Sequence, residues 1–206
     1  MIHSQLLNSA REDSEFLTQI RREFHQIPEF GLELPKTLQR VQQLVDGLGE
    51  IRISENMSAL ALTIRGGQPG PTVLLRGDMD ALAVIEDTGL SYASTNGYMH
   101  ACGHDLHIAG AIGAARLLAA NRDALRGDVV IWFQPGEEGH GGADIMIEEG
   151  FLEASGTKPI AAFGIHVFSN YPRGQFGSRV GALMAAAGGM TVTFTGQGGH
   201  GSMPWL

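Results

Sequence analysis

The sequence predicts an α/β fold: a mixed, largely parallel sheet flanked by helices, with the start of a second, smaller domain at the chain's end. Three observations predict it. Segments with apolar residues at helical spacing alternate along the 206 residues with short apolar runs bounded by glycine or proline. Several of those runs end on a cluster of acidic or histidine residues, the position at which ligands bind in open α/β sheets. The last run, MTVTFT (190–195), alternates strictly, as a strand solvated on one face does.

The elements follow in order. Residues 12–26 carry Phe16, Leu17, Ile20 and Phe24 at helical spacing, and Pro28 and Gly31 break the pattern. Residues 36–48 repeat it with Leu38, Val41, Leu44, Val45 and Leu48, with Gly49 just beyond. SALALTIR (58–65) alternates as a strand, and GGQPG then turns the chain. TVLL (72–75) leads into Arg76-Gly77-Asp78-Met79-Asp80. Residues 106–120 are Ala-rich and helical, with Asp105 placed to cap them. DVVIWFQ (128–134) is a strand that leads into Pro135-Gly136-Glu137-Glu138; residues 142–149 read as a helix, and IAAFGIHV (160–167) as a buried strand carrying His166. The change of pattern across residues 181–189 sets the expected boundary, with domains at 1–183 and 184–206.

Composition narrows the class. At 43% apolar residues a buried core is expected. The net charge of −8, without a Lys/Arg block, argues against nucleic acid and anionic membrane surfaces as partners. A single cysteine leaves no internal disulfide and suits a reducing compartment. No targeting segment is read at the N-terminus and no apolar run approaches the ~18 residues of a membrane span, so the cytoplasm is the expected location. The end of the chain at Leu206, soon after a strand and a Gly-rich turn, is read as a truncation.

The stretch MHACGHDLH (99–107) concentrates Cys102, His100, His104 and His107 around Asp105. It reads as a metal site, as a thiol nucleophile with His100 or His104 as base, or as chance. Cys102 and His104 are two apart, so an extended segment would point both the same way. Glu137 and Glu138 are adjacent and so point apart; one could bind metal and leave the other free as a base. Thiolate, imidazole and carboxylate together suit zinc, manganese, cobalt or nickel better than calcium or magnesium. Each residue also has a plainer reading. Cys102 alone is a small buried apolar residue, Glu137-Glu138 a solvated pair, His166 a hydrogen-bonded core histidine, and Asp78 and Asp80 the closure of a turn. Gly196-Gln197-Gly198-Gly199 reads as a turn, because no Lys follows it to bind phosphate. His25 and His140 suggest no chemistry locally.

Taken together, the ordered stretches RREFHQIPEFGLELPKT (21–37), LLRGDMDAL (74–82), MHACGHDLHIAGAIGAA (99–115), FQPGEEGHGGADIMIEEG (133–150), GIHVFSNYPRGQFGSRVGALMAAAG (164–188) and GGHGSMP (198–204) resemble the di-metal peptidases of the aminoacylase and carboxypeptidase G type. Within them they are similar to the amidohydrolase branch that holds the hippurate and auxin-conjugate hydrolases. The resemblance implies a zinc-peptidase-like catalytic domain and the beginning of a ferredoxin-like lid or dimerisation domain. It implies two divalent ions, manganese or zinc ahead of cobalt or nickel, on Cys102, His104, Glu138 and His166. It makes Glu137 the catalytic base and Asp80 a ligand-orienting acid. It also makes His200 a donor that reaches a partner's site in a homodimer and steadies an oxyanion. The expected reaction is hydrolysis of a hippurate-like N-acyl amino acid, a small-molecule substrate. Relatives are longer, and their late fifth ligand has no counterpart here, so impaired activity is expected. The alternatives are a non-catalytic metal-binding fragment and the cysteine-nucleophile hydrolase.

Overall fold

The computed structural model describes residues 2–185, 190–203 and 205. Part of the stretch expected to hold the domain boundary, residues 186–189, lies outside the described residues. The chain forms two units, Met1–Phe168 and Ser169–Leu206, each described by itself.

In the first unit, helices α1 (Ile2–Glu12), α2 (Ser14–Gln26) and α3 (Pro35–Val45) precede strands β1 (Glu50–Ile53), β2 (Leu60–Ile64) and β3 (Val73–Asp78). Then come α4 (His104–Ala120), β4 (Val129–Gln134), α5 (Gly142–Glu148) and β5 (Ala161–Gly164). Among the described residues the strands form one sheet in the order β1-β2-β4-β3-β5. The sheet is mixed: β3 runs parallel to β4 and to β5, whereas β1–β2 and β2–β4 are antiparallel. Helices cover it, as expected.

Strand β4 lies at the centre and is buried along its whole length. The two-residue period divides its side chains between two cores. Val129, Ile131 and Phe133 join Leu60, Leu62 and Ile64 of β2 under α2, α3 and α4. Val130 and Trp132 turn to the other face, with Ala61, Leu74, Met146 of α5 and Phe151. The buried indole N–H of Trp132 donates to the Phe151 carbonyl at 3.2 Å, which removes the cost of an unpaired donor. The chain therefore passes from β3 to β4 through α4 on one face and returns past β3 to β5 through α5 on the other. That reversal opens a crevice at the carboxyl edge of the parallel strands.

Several local expectations change. The helix α1 and the exposed four-residue strand β1 are additions. Helix α3 stops at Val45 rather than residue 48, because the chain turns through Gly47 at φ +73°. Helix α4 begins at His104, capped by Gly103 at φ +88°; Asp105 lies inside the first turn and is not its cap. Strand β5 is mostly exposed, not buried: among the described residues it is paired with β3 on one side only, and Phe163 is 58% exposed. Residues 190–195 form no strand; all are exposed, and among the described residues no second strand pairs with them.

The unit Ser169–Leu206 holds neither helix nor strand among its described residues. A turn closes Gln175 N–H on the Pro172 carbonyl at 3.1 Å, and another closes Met203 N–H on the His200 carbonyl at 2.8 Å. No described helix is long and apolar enough to cross a membrane.

Candidate metal centre

Three parallel strands deliver their ends to one edge. Asp78 closes β3 opposite Gln134, the last residue of β4. Asp80 follows β3, Glu137 and Glu138 follow β4, and His166 lies two residues past the end of β5. Cys102 and His104 come from the turn into α4. They do not sit on an extended segment as expected: the left-handed Gly103 between them folds the chain, so turn geometry rather than strand alternation brings them together. A side chain at 103 would meet Val167 Cγ2 at 2.5 Å, so glycine is also needed for the close approach of the His166 segment.

His104 is the hub. Its ring is fully buried and its Nδ1 bonds the Asp80 carbonyl at 2.8 Å, which aims Nε2 into the crevice. Around Nε2 stand Asp78 Oδ2 at 3.6 Å, Glu137 Oε2 at 3.7 Å and Glu138 Oε1 at 3.8 Å. Cys102 Sγ lies 3.3 Å from His166 Nε2. Three sets share His104: Cys102–His104–His166, Asp78–His104–His107 and His104–Glu137–Glu138, each with its ligand atoms within 4.8 Å of one another. The structure thus brings together Cys102, His104, Glu138, His166 and Glu137. Both glutamates reach His104 even though they are adjacent in sequence, and Glu137 is the more open, its side chain 38% exposed against 22%.

The donors fit a divalent ion. His104 Nε2 and Glu138 Oε1 are buried without a hydrogen-bond partner. An unpaired buried polar atom costs about 1–3 kcal/mol, more for a charged group, and a cation between the two would remove that cost. Metal–ligand bonds of about 2.0–2.3 Å place neighbouring ligand atoms roughly 3–4 Å apart, the spacing found around Nε2. Sulfur, imidazole and carboxylate together match a borderline first-row ion.

Electrostatics act in the same direction. Burial, and then the Glu138 carboxylate, push the Cys102 thiol up to about 12. That acidic field opposes a free thiolate nucleophile and favours a cation beside the sulfur. The imidazole at bonding distance from the thiol is His166, not the expected base His100 or His104. Burial opposes ionisation of Asp78, but the His107 hydrogen bond and the nearby His104 and Arg76 charges hold its carboxyl at about 2. Asp80 is likewise lowered against the effect of burial, by hydrogen bonds from His104 and from the Glu138 and Glu137 N–H groups.

The sequence reading names His107, Asp78 and His25 but assigns them no role in the site. His107 Nδ1 meets Asp78 Oδ1 at 2.6 Å, and His107 Nε2 accepts the Val167 N–H at 3.0 Å. Their signal was available: 104 and 107 are three apart on one helix and share a face. On the far side of the first turn of α4, His25 Nδ1 bonds Asp105 Oδ2 at 2.7 Å and Nε2 bonds Glu86 Oε1 at 3.1 Å. No local pattern announces that bridge, whose ends lie 80 and 61 residues from His25. His200 belongs to the second unit, where it is exposed and its Nδ1 lies 2.7 Å from Ser202 Oγ.

A mixed α/β sheet with a thiol–imidazole–carboxylate cluster at its carboxyl edge defines a protein with a candidate metal centre. The chain belongs to peptidase family M20/M25/M40, whose model matches residues 74–206. It is 42% identical over 206 residues to thermostable carboxypeptidase 1 of Saccharolobus solfataricus, across 97% of this chain and 51% of that protein. It is 39% identical to the IAA-amino acid hydrolase ILR1-like 2 of Arabidopsis thaliana, across 98% of this chain and 46% of that one. Among solved structures it resembles the Bacillus subtilis YXEP protein, a dinuclear metal-binding peptidase of the M20 family. There the TM-score is 0.72 and the identity 35%, over 77% of this chain and 44% of that one. The chain spans about half the length of the curated relatives it matches.

Proposed function

We propose that the protein carrying this chain is a metal-dependent amidohydrolase that cleaves the amide bond of small N-acyl amino acids. The observation that carries this is the pair of buried, unpartnered atoms, His104 Nε2 and Glu138 Oε1, facing each other at 3.8 Å beside the more open carboxylate of Glu137. Cys102, His104, Glu138 and His166 would hold two divalent ions, manganese or zinc in preference to cobalt or nickel. Bound there, the ions supply Lewis acidity that polarises a carbonyl and makes a water acidic. Glu137 takes the proton of the attacking water and returns it to the leaving nitrogen. Asp80 orients the loop that carries both glutamates.

Family membership and the relative that acts on an amino acid conjugate support a hippurate-like substrate, an acyl group joined to an amino acid. The reading also includes a lid beginning at residue 184, a homodimer in which His200 of a second copy meets the oxyanion, and a cytoplasmic location. Hydrolysis of a panel of N-acyl amino acids by the metal-loaded protein tests it. Wild type should lose turnover to a chelator and recover it with manganese or zinc. Glu137→Gln should fall by about 10²–10⁴-fold while still binding metal. Equal turnover by wild type and Glu137→Gln would end the assignment of the base.

A further inference from the structure

We propose that His107 is a positioning residue: its imidazole grips the Val167 backbone N–H and so fixes the His166 side chain against Cys102. Residue 166 lies beyond Gly164, the last residue of β5, where ladder hydrogen bonds no longer hold the chain. Val167 fixes this segment at the start of α4. Val167 Cγ2 presses over Gly103, and the Val167 N–H donates to His107 Nε2 at 3.0 Å. The next contacts orient His166 itself. Its Nδ1 bonds the Val167 carbonyl at 2.7 Å, its ring packs on that of His107 with centroids 4.9 Å apart, and its Nε2 is left facing Cys102 Sγ at 3.3 Å.

His107 is itself held. Nε2 receives an N–H, so it presents its lone pair, and the ring proton sits on Nδ1, donated to Asp78 at 2.6 Å. Asp78 is fully buried and paired with Arg76, whose Nε donates to Gln134 Oε1 at 2.8 Å. A continuous hydrogen-bonded path thus runs from the end of β4 through β3 and α4 to the His166 segment. Both nitrogens of His107 are occupied, so neither is free for an ion, although His107 stands in one of the clustered donor sets. Supporting groups of this kind typically change metal affinity by about 10–100-fold.

The test compares His107→Leu, which removes both bonds, with His107→Gln, which keeps an acceptor and a donor. The first readout needs no metal: amide hydrogen exchange at Val167. His107→Leu should exchange about five- to tenfold faster than wild type, as loss of one hydrogen bond implies, and His107→Gln should stay close to wild type. The second, which rests on the proposed metal centre, is a Co²⁺ titration followed by thiolate-to-cobalt absorption from Cys102. His107→Leu should weaken that band's affinity about 10–100-fold, with His107→Gln retaining most of it. Unchanged exchange and affinity in His107→Leu would overturn the proposal, as would a His107→Gln protein as impaired as His107→Leu. If wild type shows no cobalt band, the metal reading fails, and Val167 exchange alone decides the role of His107.

Discussion

The carboxylate of Asp80 accepts the backbone N–H of Glu137 on one oxygen and that of Glu138 on the other, each at 3.0 Å. One buried acid after β3 therefore sets the conformation of the loop after β4. The Asp80 carbonyl also holds His104 Nδ1, so a single residue orients three members of the cluster.

Asp80→Asn should be far more damaging than its shape suggests. An amide group would turn two hydrogens toward one of those N–H donors and leave it unpaired. A cost of about 1–3 kcal/mol in stability is expected from urea denaturation of the metal-free protein. Metal affinity should fall by about 10–100-fold, because the loop that carries Glu138 loses its orientation while the Asp80 carbonyl still holds His104. Unchanged affinity and stability would show that the loop is held by something else.

Glu137 and Glu138 should separate by experiment. Glu138→Gln should weaken metal binding in a calorimetric titration, since the buried Oε1 that faces His104 becomes part of a neutral amide. Glu137→Gln should bind metal within a fewfold of wild type and lose turnover. Its carboxylate is the more exposed of the two and suits proton transfer better than permanent ligation. The reverse pattern would exchange the two roles.

Replacing Gly103 by alanine should loosen the centre without touching a ligand. The residue sits at φ +88°, where a Cβ costs about 1–2 kcal/mol, and that Cβ would lie 2.5 Å from Val167 Cγ2. Lower thermal stability together with weaker metal binding is expected; a metal affinity equal to wild type would show that the Val167 packing is dispensable.

The metal-free protein should show opposite pH signatures on the two sides of α4. The Asp78 carboxyl is held at about 2, below its unfolded value, so its contribution is present above about pH 4 and lost as pH falls toward 2. That contribution is roughly 2 kcal/mol, and Asp78→Asn should flatten the acid limb of the stability curve. For His25 the Asp105 hydrogen bond outweighs burial and, with Glu86, raises the imidazole above its ordinary value. Its contribution is therefore full below about pH 6.5 and lost as pH rises through the raised folded value. His25→Gln should differ most from wild type near pH 6, with the gap closing as the solution becomes alkaline. A gap that widens with pH would mean that the bridge is not ionic.

The amino-acid sequence alone determined which segments form the core and which edge carries the chemistry. Periodicity reports how a backbone with 3.6- or 2-residue repeats buries its apolar face, and that information is local. It was enough for α2, α4, β2 and β4, and for the placement of Asp80, Glu137, Glu138 and His166 just beyond strands. The tertiary structure decided which polar atoms satisfy which. Asp80 turns to two backbone N–H groups, His107 joins Asp78 to Val167, and His25 spans Asp105 and Glu86, because these partners lie far apart in the chain and meet only through packing. It also decided where a favourable strand pattern went unused: MTVTFT alternates as a strand should, but a strand is made by its partner, and among the described residues none pairs with it.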